Sequence, residues 1–235
     1  MAPLEKDESA DNTLTEQEEE DGWKLLFDGQ STEHWRGAHQ EAFPAQGWTV
    51  EDGMLIVQSS DGAESQNGGD IVTQDEYSDF EFQVDFKLTE GANSGIKYYV
   101  TEAYDSKKSA IGLEYQLLDD ARHPDAKLGN NGGGTRTLAS LYDLKAAPNT
   151  KPARPIGEWN TARVVVQDNH VEHYLNGEKV LEYDRGSEAY QQLVQASKYK
   201  DWDNFGLADQ GHILLQDHGN QVFFKNIKVR DLSAS

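Results

Sequence analysis

Residues 80–88 alternate without a break. Phe80, Phe82, Val84, Phe86 and Leu88 share one parity, and Glu81, Gln83, Asp85 and Lys87 share the other. Successive side chains of a β-strand point to opposite faces, so this run predicts a strand with one apolar and one polar face. Shorter runs of the same kind fill most of the chain, at residues 23–27, 48–51, 54–57, 71–73, 96–100, 111–118, 161–167, 171–175, 179–183, 212–216 and 222–229. Turn residues separate them. Asp52-Gly53 and Asn176-Gly177 each suit a two-residue type I′ hairpin, and the second is the strongest short hairpin signal in the chain. Asn93-Ser94-Gly95 turns the chain into residues 96–100. Residues 187–198 suit a helix, with Tyr190, Leu193 and Val194 as a narrow apolar stripe. Residues 61–69 and 119–137 are polar, Gly-rich loops, and Pro148, Pro152 and Pro155 mark a third irregular segment. Many short strands and hardly any helix predict an all-β sandwich or barrel. Two curved antiparallel sheets of about six strands each suit this length.

Residues 1–22 differ from the rest. They carry Glu5, Asp7, Glu8, Asp11, Glu16, Glu18, Glu19, Glu20 and Asp21 against Lys6 alone. So few apolar groups cannot offset the entropy of ordering, so a disordered acidic leader or tether is expected there, with the folded domain at 23–235. Residues 16–21 also suit a helical turn, which carries no weight at this level.

The net charge is -21, which argues against nucleic acid and anionic membrane surfaces as partners. The chain has 0 cysteines, which removes disulfides, thiolate metal sites and cysteine nucleophiles. No apolar run approaches the roughly 20 residues that cross a bilayer. The N-terminus lacks a basic stretch followed by an apolar one. The expectation is an intracellular protein or one whose signal has been trimmed.

Residues 111–120, reading I-G-L-E-Y-Q-L-L-D-D, attract attention for chemistry. Leu113, Tyr115 and Leu117 suit a core, whereas Gly112, Glu114 and Gln116 occupy the opposite face. Burying a carboxylate and an amide without partners is costly, so this strand reads as the floor of a polar groove. The same pattern also fits a strand whose polar face meets only water.

Several stretches together resemble the 3-keto-disaccharide hydrolase domain family. They are L-L-F-D-G at 25–29, D-F-E-F at 79–82, N-S-G-I at 93–96, L-E-Y-Q-L-L-D at 113–119 and W-N at 159–160. Further along come L-N-G at 175–177, L-Q-D-H-G at 215–219 and F-K-N-I at 224–227. The resemblance covers about residues 23–232. It implies a concanavalin A-like jelly-roll sandwich that acts on a glycoside or disaccharide whose C3 hydroxyl is oxidised to a ketone. It also implies a periplasmic or extracellular setting, with a lipid anchor in the precursor compatible with the acidic tether.

A C3 ketone acidifies the C2 proton. Removal of that proton while the C1 substituent departs gives a 2-hydroxyglycal 3-ketone, and addition of water completes a net hydrolysis. The route needs a base at C2, an acid at the leaving oxygen and a positive group at the developing enolate. The family-like motifs offer Glu114 and His218 to share the acid and base roles, with Asp119 orienting one of them or binding a metal. Lys97 or Arg136 would polarise the ketone. Gln116, Gln216, Asn93 and Tyr142 complete the expected substrate contacts. Plainer roles compete: Glu114 pairing with a cation across the sheet, His218 and Asn93 serving turns, Asp119 capping one, and Lys97 and Arg136 solvated or ion-paired.

A divalent cation, calcium or another, is a further option. His212 and His218 with Asp119, Asp120 or Asp217 offer ligands, although about 20 Å of extended strand would separate the histidines. His170 and His173 have opposite parity and make a poor pair. Residues 61–70 could hold calcium but lack EF-hand spacing. The Gly132-Gly133-Gly134 run is no phosphate loop, since no Lys-Ser/Thr or helix follows. An ordinary glycosidase would flank its bond with two carboxylates, for which Glu114 with Asp85 or Glu81 is the available pair. Since the groove face of 111–118 carries one carboxylate, the keto-sugar route is favoured. The rival outside enzymology is a non-catalytic sugar-binding module with Trp35, Trp48, Trp159 or Trp202 as stacking platforms. A scaffold or adhesion role is a third reading.

Overall fold

The computed structural model describes residues 10–60, 67–102, 110–131 and 133–233. Among them the strands are β1 (Trp23–Leu25), β2 (Trp35–Gly37), β3 (Trp48–Glu51), β4 (Met54–Val57), β5 (Ile71–Thr73), β6 (Phe80–Leu88) and β7 (Asn93–Thr101). They continue with β8 (Ile111–Leu118), β9 (Asn160–Gln167), β10 (His170–Leu175), β11 (Glu178–Asp184), β12 (His212–Leu215) and β13 (Val222–Asp231). Two short helices, α1 (Glu16–Glu20) and α2 (Glu188–Gln195), accompany them. The expected all-β sandwich of two antiparallel sheets is formed. One sheet has eight strands, in the order β11-β10-β9-β6-β13-β4-β3 with β1 added on β13, and the other has five, in the order β2-β5-β12-β7-β8. The division is less even than the sequence led us to expect because β13 serves two partners along one edge. Val222–Phe224 pair with β4, and Lys228–Arg230 pair with β1.

The apolar parity of β6 lies wholly in the core, with Phe80, Phe82, Val84, Phe86 and Leu88 all buried. Opposite it sit Ile96 and Tyr98 of β7 and Leu113, Tyr115 and Leu117 of β8. Each such side chain contributes about 1.5–3 kcal/mol of transfer free energy. Both anticipated hairpins have left-handed turn residues, Asn176 (φ 50) with Gly177 (φ 85) and Asp52 (φ 50) with Gly53 (φ 71). Trp35 and Trp48 are core residues rather than platforms. Their indole nitrogens donate to Leu26 O at 2.7 Å and Gly69 O at 2.8 Å. Trp159 is half-buried and carries the ammonium groups of Lys87 and Lys225 at 5.0 and 4.7 Å from its ring centre.

Parity places Tyr99 beside Lys97 on the groove face, but a β-bulge interrupts β7 between Tyr98 and Thr101, and Tyr99 has φ 51. Its ring joins the core under Arg185, 3.7 Å from the guanidinium, and its hydroxyl donates to Ser78 O at 2.5 Å. Residues before 23 also touch the sandwich. Asn12 and Asn226 exchange backbone–side-chain hydrogen bonds of 2.5 and 2.9 Å, and Asp11 binds Lys225 at 2.7 Å. Thr15 and Glu18 form a reciprocal capping box for α1, and Glu18 also pairs with Lys228. Polar contacts to β13 thus hold the 11–20 segment, which composition alone does not reveal. Residues 1–9 lie outside the described residues.

A buried polar device joins the two sheets. His173 of β10 is fully buried, with Nδ1 3.0 Å from Ala139 O and Nε2 2.7 Å from the Tyr98 hydroxyl. The carbonyl can only accept, so Nδ1 carries the proton and Nε2 accepts from Tyr98. Tyr98 in turn lies 2.7 Å from the Tyr183 hydroxyl, which donates to it. Burial pushes the His173 imidazole down to about 4. An unfolded histidine titrates near 6.5, so between that value and about 4 the unfolded chain binds a proton the fold refuses. Stability therefore falls as pH is lowered through this window. Urea unfolding at pH 7 and pH 5 should show wild type losing about 2 kcal/mol more than His173→Gln. Equal losses in the two proteins would show that His173 does not carry the effect.

Candidate active site

The outward face of the five-stranded sheet is polar yet largely buried. Antiparallel pairing of β7 and β8 sets Lys97 opposite Glu114, Gly95 opposite Gln116 and Asn93 opposite Leu118. On the other side of β7, Leu214 of β12 pairs with Lys97, and the Gln216 amide donates to Gly95 O at 3.0 Å. Asn93, Lys97, Glu114 and Gln216 thereby line one cavity of about 310 Å³. Tyr142 and His218 close it from two loops, and Lys198, Tyr199 and Trp202 close it from the segment after α2. That volume lies at the small end of ligand pockets, roughly 300–1,000 Å³.

Glu114 is 6% exposed, and its carboxylate occupies the space over Gly95. A β-carbon on Gly95 would fall 2.3 Å from Glu114 Oε1, so only glycine leaves room for the carboxylate there. Gln116 is fully buried behind it. With its amide nitrogen turned to the carboxylate, Gln116 donates to Glu114 Oε1 and Ser94 O, both at 3.0 Å, and its oxygen faces the Asn93 amide at 3.2 Å. Lys97 directs Nζ to Asp70 Oδ2 at 3.5 Å and Ala110 O at 3.2 Å. His218 is half-buried, and its Nδ1 has no hydrogen-bond partner among the described residues. The His123 ring meets His218 edge-on, with centroids 6.0 Å apart. Burial first, and then His218, push the His123 imidazole below its ordinary value, which keeps it neutral. Among the described residues, the cavity thus presents one carboxylate, one imidazole, two ammonium groups and two side-chain amides. It can move a proton, orient hydroxyls and stabilise a developing oxyanion.

Seven of the nine expected site residues therefore converge here: six line the cavity and Gln116 supports Glu114. Asp119 and Arg136 do not line it. The Asp119 carboxylate accepts from the Gly91 and Ala121 amides at 2.8 and 3.2 Å and faces Arg122 at 3.4 Å, so it caps its own turn. Arg136 binds Asp125 at 2.8 Å and Asp143 at 2.7 Å, and its guanidinium stacks 5.2 Å from the Tyr142 ring centre. It braces the wall of the cavity rather than facing a ketone. The same Asp125 accepts from the Tyr142 hydroxyl at 3.0 Å. Burial, Glu114 and Asp125 all push that phenol up, so it stays protonated.

Lys198 and Tyr199 escape a reading of the sequence, and Trp202 enters it only as one of four tryptophans. Nothing local marks them, because a helix and its following turn carry them over the sheet. Asp143 fixes that turn by accepting from the Lys198 backbone amide at 2.8 Å. Tyr199 stacks on Phe205 at 3.9 Å. Lys198 is exposed as a residue, but its ammonium lies 4.3 Å from the Tyr142 ring centre and 5.0 Å from that of Tyr199. Partial desolvation there pushes its pKa down, against the pull of Glu114. A second cavity of about 410 Å³ shares Ile111 and Gly112 with the first and extends along Tyr99 and residues 203–209.

Among the described residues, the expected histidine–carboxylate metal set is not assembled. Asp217 accepts from the Gly68, Gly69 and Gly219 amides, and its own amide donates to Asp70 at 2.9 Å. His212 faces Arg36 at 3.2 Å and the Asp75 carbonyl at 3.2 Å, in a different cavity. Of the proposed calcium loop, residues 61–66 lie outside the described residues. Among the described residues, His170, Glu172 and Glu182 bring ligand atoms within 4.8 Å of one another. They lie on β10 and β11 of the eight-stranded sheet, where the Lys179 ammonium already joins both carboxylates.

No helix among the described residues is long and apolar enough to cross a membrane. A 3-keto-disaccharide hydrolase of Bacteroides thetaiotaomicron is 37% identical over 235 residues, spanning 90% of this chain and 79% of that protein. A Parabacteroides distasonis crystal structure, provisionally described as a glycosyl hydrolase, is 34% identical with TM-score 0.82, covering 95% of this chain and 100% of that one. A second structure from the same organism, described in the same way, is 29% identical with TM-score 0.66, covering 89% and 99%. The model of the 3-keto-alpha-glucoside-1,2-lyase-like domain matches residues 22–230, nearly the whole sandwich, and the chain is a member of that family.

Proposed function

We propose that this protein hydrolyses 3-keto-glycosides, 3-keto-disaccharides among them, by elimination across C1–C2 followed by addition of water. The observation that carries the reading is Glu114: one carboxylate held over Gly95 in a sugar-sized cavity, facing an imidazole and ammonium groups rather than a second carboxylate. Glu114 takes the C2 proton. The electrons of the C2–H bond pass into C2=C3 as the C3 carbonyl becomes an enolate, and then form the C1=C2 double bond as the carbonyl is restored and the C1–O bond breaks. His218 gives a proton to the departing oxygen, so the products are the free second sugar and the 2-hydroxyglycal 3-ketone. Water then adds at C1 and a proton returns to C2. Asn93 and Gln216 hold hydroxyls, and Trp202 offers an apolar face to a ring. The adjoining cavity along residues 203–209 receives the leaving sugar. A divalent cation has poor support here, because among the described residues the cavity's charged donors are one carboxylate and one imidazole beside two lysines. A periplasmic or extracellular setting remains part of the proposal, on the strength of the family resemblance.

Trp202 in the cavity also favours a second reading, a non-catalytic binding module. Incubation with 3-keto-trehalose and 3-keto-lactose, followed by mass spectrometry, separates the two. The enzyme releases the second sugar, exchanges C2 hydrogen for solvent deuterium and is unaffected by EDTA. Binding of an unmodified glycan without turnover of either compound would establish the module. Glu114→Gln should lower kcat by about 10²–10⁴-fold with an unchanged melting temperature. Near-normal activity would remove Glu114 from the chemistry. Gly95→Ala should displace the same carboxylate, costing at least tenfold in kcat and about 1–3 kcal/mol of stability. Unaltered kinetics in that variant would show that the position of the carboxylate is not critical.

A further inference from the structure

We propose that Lys198 is a catalytic residue, its ammonium meeting the 3-keto oxygen and stabilising the enolate that forms as Glu114 removes the C2 proton. The proposal rests on the 3-keto reading and names the positive group that chemistry needs. Among the described residues, three cations stand at or beside the cavity, and two are committed. Lys97 is buried against Asp70 and the Ala110 carbonyl. Arg136 spans Asp125 and Asp143 behind Tyr142. Lys198 lines the cavity, and its ammonium makes neither hydrogen bond nor ion pair among the described residues. Its backbone is nonetheless fixed by the Asp143 carboxylate at 2.8 Å, and aromatic faces flank its charge. A cation held in place but short of acceptors gains most when an oxyanion appears beside it.

The charged and titratable groups acting on Lys198 come from every neighbouring element. Glu114 on β8 and Asp143 favour the ammonium form, while Lys97 on β7, Arg136 and desolvation oppose it. Tyr142 and Tyr199 face it as neutral phenols, both pushed up by burial. The ammonium form is therefore lost at a lower pH than in an ordinary lysine.

The test uses the full chain with 3-keto-trehalose, reading released sugar and C2 deuterium exchange across pH. Lys198→Met should lose about 10²–10³-fold in kcat with KM changed by less than about threefold. Lys198→Arg should recover most of the rate and move the alkaline limb of the pH profile upward, a shift that a structural role would not cause. Wild-type activity with an equally active Lys198→Met would overturn this proposal alone. So would a wild-type rate that rises through the alkaline limb, since a neutral amine would then act as base, or borohydride trapping of substrate on Lys198, which would reveal an imine. If Lys198→Met does not fold, the limb in Lys198→Arg decides, and a limb that stays in place rejects the role. A wild type that turns over no 3-keto-sugar would overturn the underlying reading and this proposal with it.

Discussion

Burial of charge on the outward face of the five-stranded sheet governs the rest of the molecule. Lys97 and Asp70 are almost wholly removed from water, 3.5 Å apart and on different strands or strand ends. Ions so desolvated persist only with close partners, and stripping one of them leaves the other stranded at a cost of about 3–5 kcal/mol. Asp70 therefore has to receive the Asp217 amide, and Asp217 has to gather the amides of Gly68, Gly69 and Gly219. This chain of obligations locks the ends of β5 and β12 beside β7. The loop bearing His218 leaves from that same locked end.

The opposite face obeys a different constraint. There most side chains are apolar, and a buried imidazole, His173, ties Tyr98 of the site sheet to Tyr183 and to the segment covering β8. That segment closes the sheet edge through Ala139, whose φ of 63 is unfavourable for alanine, and through the Tyr142 amide bonded to Glu114 O at 2.9 Å. The strained backbone is held from both sides, by His173 within the core and by Gln116 on the strand.

Period-two alternation made the sandwich legible, because β6 and β8 state their inner faces residue by residue. Hairpins were legible wherever Asn or Asp precedes Gly. The Asp168-Asn169 turn between β9 and β10 uses the same left-handed geometry, φ 51 and 68, but carries no glycine to announce it. Glu114, Gln116 and Lys97 were readable as a cluster because neighbouring strands preserve parity. Tyr99 was not, since a bulge breaks parity without a sequence mark. Asp119 and Arg136 were placed by family resemblance and chemistry, and their partners, Gly91 and Asp143, lie in other segments that the sequence does not link to them. Lys198 and Trp202 arrive from a turn more than 80 residues away from Glu114, so only the folded chain brings them together.

The bidentate hold of Arg136 on Asp125 and Asp143 reaches beyond the wall it braces. Asp125 anchors Tyr142, and Asp143 anchors both Asn130 and the Lys198 backbone. The long loop, the sheet-edge segment and the turn after α2 are thus joined at one guanidinium before any sugar arrives. A ligand meets a pre-organised cleft rather than one it must fold around itself, so little of its binding free energy is diverted into ordering loops. What is left can act on the reacting bonds, and selectivity between an oxidised and an unoxidised sugar then rests on a rigid template rather than on induced closure.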